Sequence, residues 1–93
     1  MDVRGDWLIY TKSATPGRTP AGVKDAVQSW LERHEVAELA LEPLDGYYAI
    51  HINADPKPVP GVFVPASLLD DAEAMADILE AAYSVWDREL AAH

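Results

Sequence analysis

The stretch from Ser67 to Leu90 constrains this chain most, because its apolar residues recur with the period of one long helix. Leu68, Ala72, Met75, Leu79, Ala82 and Trp86 step by three and four residues, which gathers them on one face. Nearly opposite, Asp70, Glu73, Asp77, Glu80, Ser84 and Asp87 step in the same way and set five carboxylates on a ridge roughly 25 Å long. Ser67 is placed to cap this helix, with Asp70 three residues on as its capping partner. A helix so divided needs a sheet or a second helix to cover its apolar side.

The 93 residues suit one domain, 1–93, with a single core. Hydrophobic residues make up 49% of the chain, with four Tyr, three Trp and one Phe, which excludes disorder as the main state. With no cysteine, there is no disulfide framework, thiolate metal site or Cys nucleophile. Residues 1–6 carry Asp2, Arg4 and Asp6, unlike a secretory leader, and no run approaches the roughly 20 apolar residues of a membrane span. The expected location is the cytoplasm.

The net charge of −9 is unevenly placed. Five bases oppose four acids through His34, whereas from Glu35 onward only Lys57 and Arg88 oppose twelve acids. The resulting field repels nucleic acid and anionic lipid and attracts basic surfaces over about a Debye length. Neither direct nucleic-acid binding nor membrane binding is expected.

In chain order, Trp7 to Thr11 reads as a first strand whose two apolar faces suggest an interior position. Thr19 and Pro20 open a helix as cap and first residue, and Val23, Val27, Trp30, Leu31 and His34 form its inner side to a stop near His34 or Glu35. Ala37, Leu39 and Leu41 alternate with Glu38, Ala40 and Glu42 as a half-buried strand. Asp45-Gly46, both tolerant of positive φ, then turns the chain into a return strand from Tyr47 to about Asn53. Pro56, Pro58 and Pro60 stiffen a connector, and Val62 to Val64 can add a short edge strand before Pro65. The order β-α-β-β-(β)-α predicts an α+β, two-layer open sandwich, with a mainly antiparallel sheet and both helices on one face.

Candidate chemistry is sparse. Gly17-Arg18-Thr19-Pro20-Ala21-Gly22-Val23-Lys24 has the glycine spacing of a phosphate loop, but Val23 displaces the lysine and Asp25 stands where a hydroxyl is needed. Weak anion capture by Lys12 and Arg18 is all that this junction supports. His34, His51 and His93 lack a metal-ligand spacing, so no metal and no cofactor is expected. His51 belongs to the open sheet face with Glu38, Glu42 and Tyr47, where a general acid/base group or a solvated cross-strand pair would use the same residues.

The functional expectation is a small non-enzymatic acidic protein that docks on a basic surface, that of a nucleic-acid-handling protein, and inhibits or modulates it. Its contacts would be Asp70, Asp71, Glu73, Asp77, Glu80 and Asp87, whose one-turn spacing of about 5–6 Å approaches that of successive phosphates. In size and charge the chain is similar to small phage-encoded inhibitors of host defence nucleases, a class-level likeness without a shared motif. Two other classes use other residues. A self-associating module, such as a homodimer, would use the open sheet face or the helix flank at Ile78, Tyr83 and Val85. A small enzyme would use His51.

Overall fold

A computed structural model describes residues 5–92; residues 1–4 and His93 lie outside them. Four strands and two helices follow in the order β1 (Leu8–Thr11), α1 (Ala21–Arg33), β2 (Glu38–Pro43), β3 (Tyr47–Ile52), β4 (Phe63–Pro65) and α2 (Ala72–Ala91). The sheet is antiparallel throughout, in the order β1-β2-β3-β4, and both helices pack on one of its faces.

Strand alternation decides which residues meet the helices. Pairing sets Leu8 against Leu41 and Tyr10 against Leu39. It also sets Leu39 against Ile52, Leu41 against Ile50 and Tyr48 against Val64, so every one of these side chains shares the helix-facing side. Val23, Val27, Trp30 and Leu31 of α1 and Met75, Leu79 and Ala82 of α2 bury against that layer. The opposite side carries Trp7, Ile9, Ala40, Glu42, Ala49, His51 and Phe63 and has no covering helix.

Several local expectations are corrected. β1 is an edge strand, not an interior one; its second apolar side, Trp7 and Ile9, faces the uncovered side of the sheet. The helix expected from Ser67 starts at Ala72, because Ala66–Leu68 form a separate 3-10 turn and Asp71 is the cap, its Oδ1 accepting the Ala74 N–H at 3.1 Å. Leu69, half-buried against the core, ties down the link between the two. Thr19 does not cap α1; Pro20 holds that position without a side-chain bond, and the Thr19 hydroxyl bonds Tyr10 instead.

Turn chemistry fixes the remaining junctions. Glu35 takes φ +53° after α1, with its N–H on the Glu32 carbonyl and the Val36 N–H on the Leu31 carbonyl, which is a Schellman stop. Only Gly46 adopts positive φ in the β2–β3 turn, at +83°, so Asp45 does not share the mirror-image geometry expected of it. That geometry belongs to Asn53 and Ala54, at +56° and +59°, where the Asp55 N–H closes the turn on the Ile52 carbonyl at 3.1 Å. The proline segment then runs beside β3, its Val59 N–H bonded to the Ile50 carbonyl and its side chain buried.

A left-handed residue with a Cβ costs roughly 1 kcal/mol that glycine avoids. Glu35→Gly and Ala54→Gly should each raise unfolding free energy by up to about 1 kcal/mol in urea titrations, and Gly46→Ala should lower it by a similar amount.

Candidate functional site

Three places gather side chains with chemical potential: the outer side of α2, the uncovered sheet face, and the loop between β1 and α1.

On α2, the inward direction of Met75, Leu79 and Ala82 turns Glu73, Asp77, Glu80, Ser84 and Asp87 outward, and all five are exposed. The carboxylates are not equivalent. Glu80 accepts from the Arg33 guanidinium and lies 3.1 Å from His34 Nε2 through each oxygen, so it joins α2 to the end of α1. The His34 ring in turn stacks on Tyr83 at 4.0 Å. This clasp neutralises the middle of the row. Asp70 and Asp71 precede the helix, the first in a turn and the second as its cap, and both are exposed. The densest acidic ground is therefore the beginning of α2, where Asp70, Asp71, Glu73 and Asp77 fall within eight residues. None of these four forms an ion pair among the described residues. The helix-flank residues Ile78, Tyr83 and Val85 are half-buried and packed against the core rather than free on the surface.

On the sheet face, His51 is only 3% exposed, although no helix covers it. Trp7 covers it, with ring centroids 4.7 Å apart. β1 and β3 are separated by β2, so the indole must cross above Ala40, whose small side chain leaves the space. His51 Nδ1 donates to the Asp55 carbonyl at 2.9 Å and Nε2 lies 3.0 Å from Glu42 Oε1. Both ring nitrogens thus face acceptor oxygens. Asp55 is a hub that sequence reading missed: its carboxylate also accepts the Lys57 N–H and the Trp86 indole N–H, at 2.9 and 3.2 Å. Tyr47 does not join His51. Its ring sits edge-on to Phe63 at 5.2 Å, and Glu38 pairs in register with Thr11.

The glycine-containing loop builds no phosphate cradle. Arg18 and Asp70 line one small cavity of about 180 Å³ with Tyr10 and Thr19, whereas Lys12 and Lys24 line another of about 190 Å³. Lys12 and Arg18, expected to act together, line different cavities. Among the described residues, no group of three or more His, Asp or Glu side chains is placed to hold a metal ion, and no helix is long and apolar enough to cross a membrane. No protein-family model, curated protein or solved structure matches this chain.

Burial pushes the Tyr10 phenol above its ordinary pKa; the Thr19 hydrogen bond opposes this, and the Tyr48 and Asp70 charges reinforce it. The folded state therefore holds this proton more tightly than the unfolded chain, and stability falls as pH rises above roughly 10. Tyr10→Phe should flatten that alkaline decline in denaturation curves. His51→Ala removes a buried ring with two partners and should cost about 3 kcal/mol. It should also shift Trp7 emission to the red as the indole loses its cover.

Proposed function

We propose that this protein is a non-enzymatic acidic binding protein whose α2 side docks on a basic surface, that of a nucleic-acid-handling protein, and blocks or modulates it in the cytoplasm. The observation that carries the reading is the exposed group Asp70, Asp71, Glu73 and Asp77 at the start of α2, with Asp87 farther along. Glu73 and Asp77 stand one turn apart, about 5–6 Å, close to the spacing a phosphate-binding groove accepts. Rigidity supports it as well. Burial of Met75, Leu79 and Ala82 and the Glu80 clasp to Arg33 and His34 fix the helix against its neighbours, so the carboxylates need little ordering on binding. Glu80 then acts by holding the helix, and its own contribution to docking is smaller than that of Glu73 or Asp77.

Pull-down from the native host at about 50 and then about 500 mM salt tests this, because contacts between exposed charges weaken over that range. A basic nucleic-acid-binding protein should be captured at the lower salt, lost at the higher, and displaced by duplex DNA or RNA. The Glu73→Lys/Asp77→Lys variant should lose it by at least about 100-fold in affinity, and Glu80→Gln by far less. Equal capture by wild type and the double lysine variant, or capture indifferent to salt, rejects the reading.

A further inference from the structure

We infer that the uncovered sheet face joins two copies of this chain through a neutral aromatic corner at Leu44, Tyr47, Phe63 and Pro65. Only four large apolar side chains are strongly exposed among the described residues, and three of them meet here: Leu44 at 41%, Tyr47 at 39% and Phe63 at 43%. Tyr47 and Pro65 are register partners, and the Tyr47 and Phe63 rings already pack edge to face. The corner is thus preformed, with little side-chain freedom left to lose on contact.

Charge identifies the occupant. The corner carries no charged side chain of its own; Asp45 lies in the adjoining turn, and Glu42, the nearest acid on the sheet face, is held by His51. A basic partner finds more to bind on the opposite side of the molecule, and a nucleic acid or anionic lipid is repelled by a chain of net charge −9. A second copy carries the same net charge, but on a two-fold axis it brings only the neutral patch against itself and turns its acidic side away, which a polyanion lying across the face cannot do. Sheets packed face to face lie about 10 Å apart and each helix layer adds about as much again, so the two acidic rows end roughly 40 Å apart, several Debye lengths.

The size of the face sets the strength. Four strands span about 19 Å and four residues along them about 14 Å, and since Ala40, Ala49 and His51 at the middle are already buried within the chain, a pair hides at most about 1,000 Å² in total. That is the small end for specific association, and it gives a reversible dimer in the micromolar to millimolar range. Salt acts on it with the opposite sign to α2 docking. Screening reduces repulsion between two copies of charge −9, so association strengthens as salt rises.

Sedimentation of the purified chain from about 10 µM to 1 mM, at about 50 and 500 mM salt, reads this directly. The average mass should climb from the 10.2 kDa of one chain toward twice that value, more readily at the higher salt. Tyr47→Ser/Phe63→Ser alters exposed positions and should weaken association at least tenfold with the circular dichroism spectrum unchanged. Glu73→Lys/Asp77→Lys should still associate, which separates this interface from the α2 reading. A single-chain mass at every concentration and both salts, or full association of the double serine variant, overturns the proposal.

Discussion

The seating of Met75, Leu79 and Ala82 on the sheet sets the rotation of α2, and the rest of the molecule's chemistry depends on it. Each residue along a helix turns about 100°, so a slip of one position would carry Glu73 and Asp77 sideways and bring polar groups into the core. The Leu39, Leu41, Ile50 and Ile52 layer admits one arrangement because alternation leaves no second apolar face of comparable size beneath the helices. Hydrophobic burial is nondirectional, yet here it orients charge.

The polar contacts refine this orientation. Arg33 and His34 end α1 beside Glu80, and the left-handed Glu35 stops that helix where the clasp can form. An exposed pair such as Arg33–Glu80 is worth at most about 1 kcal/mol, so it registers the two helices more than it stabilises them. Asp55 performs a related task at the other end. Its backbone carbonyl meets His51 on the sheet face while its carboxylate meets Trp86 on α2, linking the two layers through one residue.

The sequence made the element order, the inner faces of both helices and the β2–β3 pairing legible, because each rests on a local period. What it hid depends on distant partners. β1 read as an interior strand from its two apolar faces, because the residue that Trp7 packs on, His51, comes from a strand two places away. Ser67 read as the cap of α2, whereas Asp71 holds that position, and the packing of Leu69 against the core between them is invisible in a one-dimensional pattern. Glu80 looked equivalent to its neighbours until Arg33 and His34, more than forty residues earlier, were brought beside it. The outward row was readable; which of its members are free was not.

Carboxyl labelling with a water-soluble carbodiimide and an amine, mapped by mass spectrometry, tests the arrangement of α2 most directly. Glu73, Asp77 and Asp87 should react quickly in the native protein and Glu80 more slowly, with the difference vanishing in denaturant. Labelling of Glu80 as fast as Asp77, or protection of Glu73 and Asp77, would contradict the packing that turns this row outward.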